Sequence, residues 1–423
     1  ENPSQIDLNR WFTFHNTQVE RYKRLIDYYK GEQDILDRTS IITGNANNKT
    51  VTNFCKLITN TMTGYFISIP VEYSSGDDKQ LELVKKLYKD NNGTDEDYEI
   101  SKKASIYGNS FEVLYYNANG EVKFDEFTPE SCFIIYSDDF IGEVPIAAIN
   151  YKKILSAELN KEKWIIDYYT KDNVTRMITD NALNILSRET NKHFFKDIPV
   201  IELKNNNERI GDFEQILTLQ DTYNVLMSDR ANNVTNVVNA LLMLRNYRVP
   251  ATEEGLVAVK KMKEMGIINV DDDGDAKFLT CNLDATASKE ISDSIATDIH
   301  KVSNCPDMTD ESFSSNSSGV AMKYKLWGAE QEVSAKQRKF TTFLNKRYKL
   351  ITESPKQYIL NDLEYKFTEN IPVNVSEQVK TVRELYGTIS NETYYELLEP
   401  LGVTKDEEMT RVEEQNKLDV LGV

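Results

Sequence analysis

The sequence predicts an α+β fold, because the spacing of its apolar side chains changes from helical to strand-like and then returns to helical. Between residues 17 and 107, apolar side chains recur every three or four positions, which is typical of amphipathic helices. Between residues 111 and 179 they alternate with polar side chains and are separated by turn residues, as in half-buried antiparallel strands. Beyond Gly211 the helical spacing resumes. We therefore expect helices, a meandering antiparallel sheet and then long helices.

The first half of the chain contains short elements with clear boundaries. A first helix is predicted over 17–38, with a break at Gly31, and others over 50–64, 79–90 and 96–107. The pattern then changes to strands, predicted at 111–116, 122–127, 132–136, 146–151, 163–169 and 173–179.

The middle of the chain is predicted as two helices around a small mixed unit. Asp212 is a candidate N-cap for a helix that continues through the Asn-rich stretch 232–239. The unit at 245–281 has a basic helix, an acidic turn and a strand. A helix returns at 284–303, and a polar Ser-rich stretch follows it.

A long helix is predicted from Gly319 to about residue 353, just before Pro355. Gly328 is a candidate bend. Two apolar groups each share a face of this helix: Val320, Tyr324 and Trp327 in its first part, and Phe340, Phe343, Leu344 and Tyr348 further on. A strand at 362–368 and a charged helical segment at 376–423 follow.

Composition narrows the function classes. The chain has 50 Lys and Arg against 68 Asp and Glu, a formal net charge of −18. Proteins that grip DNA are usually basic, so any contact with DNA is expected to be confined to a small surface. The four Cys are far apart and only three His are present, which argues against a zinc site and favours a reducing compartment. No apolar run is long enough for a membrane span.

Catalytic signatures are weak. The segment Gly44–Thr50 contains Lys-Thr but lacks the glycines with which a Walker loop cradles phosphate. The acidic run Asp271–Asp275 lacks the spacing and closing Glu of a calcium loop, and a solvated hairpin turn is the better interpretation. No His has a nucleophilic partner in a recognisable motif. We therefore expect neither a cofactor nor an enzymatic activity.

Five groups of short segments, in order along nearly the whole chain, together resemble one family. They are Tyr28-Tyr29-Lys30-Gly31 with Asn53-Phe54 and 63–71; Ile106–Glu112; Ile198-Pro199-Val200, Asn205-Asn206, Gly211–Glu214, Asp221–Asn224 and Ser228-Asp229; Cys305–Met308 and Ser318–Gly328; and Gly387–Thr393. This pattern resembles the portal proteins of long-tailed, siphovirus-type bacteriophages, especially those of Gram-positive hosts.

The resemblance implies a multi-part subunit with an α+β wing, a helical stem, a small α/β clip, a long bent tunnel helix and a helical C-terminal crown. The implied boundaries are wing 1–225 with 351–378 returning to it, stem helices 226–244 and 284–305, clip 245–283, tunnel loop 306–319, tunnel helix 320–350 and crown 379–423. The acidic composition agrees with a channel wall that repels phosphates within roughly a Debye length of ~8 Å.

The resemblance also implies sites. The DNA-facing tunnel loop comprises Thr309, Asp310, Glu311, Ser312, Phe313, Ser314, Ser315, Asn316, Ser317 and Ser318. The candidate basic residues of the tunnel helix are Lys323, Lys325, Lys336 and Lys339. The clip surface expected to dock the packaging motor and connector comprises Arg245, Lys260, Lys261, Lys263, Asp271, Asp272 and Asp273.

The implied partners are copies of the same chain, in a ring of twelve subunits or of thirteen when isolated, and double-stranded phage DNA in the channel. Large terminase, a head-completion or adaptor protein, and major capsid and scaffold proteins complete the set, with no membrane. The expected location is the portal vertex of the virion, after assembly in the host bacterial cytoplasm. The alternatives are another head–tail connector ring and a terminase-like packaging enzyme, which the missing Walker loop disfavours.

Overall fold

The computed structural model describes most of the chain as mixed helix and sheet. The described residues are 3–39, 46–138, 142–155, 162–238, 241–245, 253, 255, 257, 260, 275–279, 285–308, 319–355, 360, 362–370, 382–385, 387–398 and 408–412. The expected α+β class is confirmed by its element order.

Helix α1, Gln5–Lys30, begins twelve residues before its predicted start. Ser4 and Asp7 form a capping box at its N-terminus, and Gly31 ends it in the left-handed region at φ +92°, as predicted. The added turns bury Leu8, Phe12 and His15 against the sheet. Because the sheet that covers these turns is distant in sequence, the local spacing of apolar residues underestimated the length of α1.

Three more helices follow as predicted, with small shifts of their ends. They are α2, Phe54–Ile67, α3, Asp78–Asp90, and α4, Gly93–Tyr107. A short strand β1, Glu72–Ser74, lies between α2 and α3.

The predicted antiparallel meander is confirmed and is longer than expected. Strands β4, β5, β6, β7 and β8 form one sheet in chain order. Their bounds are β4 Cys132–Tyr136, β5 Pro145–Leu155, β6 Glu162–Tyr169, β7 Asn173–Thr179 and β8 Ile185–Lys192. Strand β8 was missed because it is an almost wholly exposed edge strand without apolar alternation.

A second sheet has three strands in the order β3-β2-β9. Strands β2, Asn109–Tyr116, and β3, Val122–Phe127, were predicted, and β9, Val200–Lys204, was not. Every side chain from Asn109 to Leu114 is buried, because β2 is the central strand and is covered on both faces.

The second half contains the long helices. Helix α5, Leu217–Val238, ends earlier than the predicted 226–244 helix, and Leu241–Arg245 form strand β10 instead. This strand pairs in antiparallel register with β11, Asp275–Leu279. The small mixed unit therefore begins at Leu241, before its predicted start at residue 245. A short apolar run without flanking turn residues is compatible with either a helix or a strand. Here the pairing with a strand that is distant in sequence favours the strand.

Helix α6, Ala285–Val302, and the long helix α7, Gly319–Thr352, agree with their predictions. Strand β12, Glu364–Lys366, is shorter than predicted and pairs with β1, and helix α8 spans Asn391–Glu396. The main core lies between α2, α4, β2 and the second half of α7. Within the described residues, none of the helices combines the length and apolar character needed to cross a bilayer.

Candidate functional site

The expected tunnel residues have different environments. Residues 309–318 lie outside the described part of the chain, as does the side chain of Lys323. Lys325 is exposed. The Lys339 ammonium donates to the Asn207 side chain. Lys336 is only 7% exposed and faces the interior of the subunit, so its charge is not presented at the surface.

The expected clip residues are described only in part. Arg245 ends strand β10 opposite Asp275, and Lys260 is exposed. The remaining five, Lys261, Lys263, Asp271, Asp272 and Asp273, lie outside the described residues.

Lys336 fastens the long helix to the loop before α5. Its ammonium lies 2.5 Å from Asp212 Oδ2, and the two side chains are 8% and 9% exposed. Asn205 Nδ2 donates to Asp212 Oδ1 over 2.8 Å, and the Ser105 hydroxyl donates to Oδ2. Asp212 was expected to be a helix N-cap, but its carboxylate instead joins α4, the 205–212 loop and α7. We call this contact the Asp212 anchor.

Two glycines allow the chain segments at this anchor to cross closely. Gly108 has φ +90°, and a Cβ there would lie 2.1 Å from the Arg209 carbonyl oxygen. A Cβ on Gly211 would lie 2.4 Å from the Ile106 carbonyl oxygen. Backbone N–H groups of Asn205 and Asp212 donate across the crossing. Both positions therefore require glycine.

A second anchor, which we call the Arg347 anchor, holds α7 to α4 and β2. Arg347 is completely buried, and its guanidinium donates to Asp97 Oδ1 over 2.7 Å and to both Glu112 oxygens, over 2.9 Å for the Nε bond. Its Cζ also lies 4.5 Å from the centroid of Phe124 and 4.8 Å from that of Phe343. Burial raises the pKa of both carboxyls, and Arg347 opposes this shift. Sequence spacing gave no signal of this cluster.

Helix α5 carries a row of buried polar side chains four residues apart: Gln220, Asn224, Ser228 and Asn232. We call this row the ladder, and residues 46–54 the strap. The backbone N–H groups of strap residues 48, 50, 52 and 54 donate to ladder oxygens of 232, 228, 224 and 220, over 2.6, 2.9, 3.0 and 3.1 Å respectively. The strap therefore runs antiparallel to α5.

The spacing of the ladder side chains matches the spacing of the strap N–H groups, because the two segments advance by similar distances per repeat. Four helical residues advance about 6 Å and two extended residues about 6.6 Å, so each ladder side chain meets every second strap N–H. Gln220 Nε2 also donates back to the Thr52 carbonyl over 2.6 Å. Backbone donors of the strap, which has no sheet partner, are thereby satisfied. The backbone N–H groups of Asn48 and Thr50, in the segment that was considered as a Walker loop, are thus hydrogen-bonded to side chains of α5.

Removing one rung should loosen the strap. Asn224→Ala deprives the Thr52 N–H and the Gln33 side chain of their partner. We expect a loss of about 1–3 kcal/mol in the free energy of unfolding, because a half-buried donor is left unpaired. Hydrogen exchange should accelerate at the amides of 48–54. Thr222→Ala, at an exposed site of the same helix, is the control, and equal exchange in both variants would contradict the role of the ladder.

Side chains that could do chemistry have structural surroundings. Burial lowers the pKa of His15 to about 4, and its ring stacks on Phe133. The thiols of Cys55, Cys132 and Cys305 are buried, and burial raises their pKa. In the part of the chain that the structure describes, no three His, Cys, Asp or Glu converge as metal ligands would.

Several of the segments that carry the family resemblance meet at the Asp212 anchor or beside the ladder. Gly108, Asn205, Gly211 and Asp212 build the Asp212 anchor. Tyr28 donates to Asp221 over 2.6 Å, and Asn53 caps α2 and donates to the Tyr29 carbonyl beside the ladder. These segments therefore help to hold α5 on the α+β body, and they supply Asp212, the partner of Lys336 on α7.

Comparisons with known proteins agree with this pattern. A family model described as phage portal protein, SPP1 Gp6-like, matches residues 9–419. A portal protein of Bacillus phage SPP1 is 24% identical over 420 residues, covering 93% of this chain and 80% of that protein. A portal protein of Clostridium phage phiCD119 (strain Clostridium difficile/United States/Govind/2006) is 21% identical over 393 residues, covering 86% of this chain and 85% of that protein.

Proposed function

Because this chain belongs to the SPP1 Gp6-like family of phage portal proteins, we propose that twelve subunits form the ring through which double-stranded DNA is packaged, retained and ejected. A portal protein is a virion component, and the family implies a ring with capsid and phage DNA. The match over nearly the whole chain does not favour a different head–tail connector or a terminase-like enzyme. The chain acts as a channel and not as an enzyme.

The observation that best supports a channel is the rigid attachment of the long helices. The Asp212 and Arg347 anchors fasten α7 at two points, and the ladder fastens α5 over about three turns. In the proposed arrangement, α5 and α6 form the stem and α7 the tunnel helix. Residues 1–225 with 351–378 form the wing, and 379–423 the crown. Rigid attachment keeps the bore constant while DNA moves.

The proposed clip is the mixed unit that begins at strand β10, before the expected boundary at 245. Its exposed Lys260, with the other charged clip residues expected from the sequence, would dock first the large terminase and then the head-completion protein. Capsid and scaffold proteins would contact the outer surface, and assembly would take place in the host cytoplasm.

Ring formation tests the proposed function directly. We expect the purified protein, at micromolar concentration, to form closed rings with a central hole, of about twelve or thirteen times the 48.7 kDa subunit mass. Electron microscopy and native mass measurement would establish this. Monomers or twofold dimers alone, with and without salt, would contradict the proposal.

The tunnel loop, residues 309–318, is proposed to contact passing DNA. Its polar side chains would make weak, exchangeable contacts with phosphates, while exposed Lys325 adds one positive charge per subunit. Shortening the loop should leave rings intact and strongly reduce packaged DNA in infected cells. A variant of unchanged length, with alanine at the serines 314, 315, 317 and 318, separates length from polarity. Normal genome yield from the shortened variant would make the loop a connector only.

A further inference from the structure

Helix α7 exposes two large aromatic side chains on one face. Tyr324 is 78% and Trp327 60% exposed, and they lie three residues apart. Further along the same helix, Phe340, Phe343 and Leu344 are buried. Aromatic side chains of this size bury about 150–250 Å² each when covered, so an exposed pair indicates an interaction surface. We call Tyr324 and Trp327 the aromatic knob.

A cavity of about 230 Å³ lies on the other side of the same helical turns. Its apolar wall comes from α2, from the segment after α6 and from α7 itself. The residues of this wall are Met62, Tyr65, Pro306, Met308, Leu326 and Ala329. Met308 is 47% exposed, so the cavity is reached from solvent. We call it the α7 pocket.

The knob and the pocket face in opposite directions at the same level of α7. Successive residues are turned by about 100°, so Leu326 and Ala329 lie roughly half a turn away from Tyr324 and Trp327. A head-to-tail ring needs two different, complementary surfaces on opposite sides of each subunit. A twofold dimer would instead need one self-complementary surface. The geometry therefore suits the contact between neighbours in a closed ring.

The two surfaces also complement each other chemically. The Trp327 indole N–H and the Tyr324 hydroxyl each need an acceptor when they are covered. Three lining residues of the pocket, Asn60, Thr61 and Asn370, carry side-chain oxygens that can accept a hydrogen bond. Burial raises the pKa of Tyr65 to about 12, and the nearby carboxylates of Glu369 and Glu330 add to this effect. The pocket thus combines an apolar wall with side chains that can accept a hydrogen bond.

We propose that the aromatic knob of one subunit inserts into the α7 pocket of the next subunit in the ring. This contact rests on the proposed ring assembly and assigns residues to it. Repeated around the ring, it would join the tunnel helices of neighbouring subunits into one continuous belt.

Disulfide trapping tests the contact. Trp327→Cys combined with Asn370→Cys places one thiol on the knob and one at the pocket rim. After oxidation of assembled rings, a denaturing gel without reductant should show a series of bands from covalent multimers. Neither single variant should give these bands. If Trp327→Cys prevents assembly, Tyr324→Cys replaces it in the pair. Rings that give no covalent multimers, or only monomers with a disulfide within one chain, would overturn the proposal.

Association measurements give a second readout. Trp327→Ala should weaken subunit association by roughly ten-fold or more, since buried Trp side chains dominate interface energies. Gln331→Ala, an exposed residue on the same face of α7, is the control and should associate as the wild type does. If Trp327→Ala associates as the wild type does, the proposed contact of the aromatic knob is wrong. Wild-type protein that forms no ring would instead refute the proposed function, so the two failures are distinguishable.

Discussion

Replacing Arg347 with Met is expected to lower the free energy of unfolding by about 3–5 kcal/mol, because it leaves two buried carboxylates without their cation. Asp97 and Glu112 are 1% and 2% exposed, so water cannot replace the guanidinium. The second half of α7 should then detach more easily from α4 and β2. Urea unfolding followed by tryptophan fluorescence, at fixed protein concentration, measures the change.

The effect should depend on pH in a direction that identifies its cause. Without Arg347, burial raises the pKa of Asp97 and Glu112 in the folded state further above the unfolded values. The folded variant then binds more protons than the unfolded chain, so its stability rises as the pH falls. The deficit relative to wild type should therefore shrink from pH 7 towards about pH 5.

Arg338→Met is the matched control on the same helix, because Arg338 is exposed. It should change the free energy of unfolding by no more than about 0.5 kcal/mol. A deficit in Arg347→Met that stays constant with pH would point to lost packing against Phe124 and Phe343 instead of unpaired charge.

Gly108→Ala should prevent accumulation of the native subunit, with a cost above about 4 kcal/mol. The new methyl group would meet the Arg209 carbonyl oxygen at 2.1 Å, and that oxygen belongs to backbone that cannot rotate away. The clash would separate the α4–β2 turn from the 205–212 loop and displace Asp212 from Lys336. Soluble yield and thermal unfolding are the measurements.

Gly120→Ala isolates the backbone contribution. Gly120 also has a positive φ, +69°, but a Cβ there has no atom within 4 Å. It should cost only about 1–2 kcal/mol, the strain of a left-handed residue. If Gly108→Ala proves no worse than Gly120→Ala, the crossing is looser than the structure shows and the Asp212 anchor does not depend on glycine.

Several features could be predicted from the sequence because they depend on neighbours along the chain. The helices α2, α3, α4 and α7 and six of the meander and hairpin strands follow directly from apolar spacing and turn residues. The segments Ile106–Glu112, Asn205-Asn206 and Gly211–Glu214 also carried part of the family resemblance. Their spacing did not show that they meet in one anchor.

The tertiary structure alone decided the roles of the charged and polar side chains. Lys336 was a candidate basic residue of the tunnel helix and Arg347 carried no signal in the sequence, yet both are buried, because carboxylates more than a hundred residues away compensate them. The spacing of the polar row on α5 did not show what covers it, yet the row binds the strap through a match between helical and extended rises. Local spacing predicts which residues share a face of a helix. The surface that covers this face is set by distant parts of the chain, and it determines whether a charge is paired, solvated or excluded.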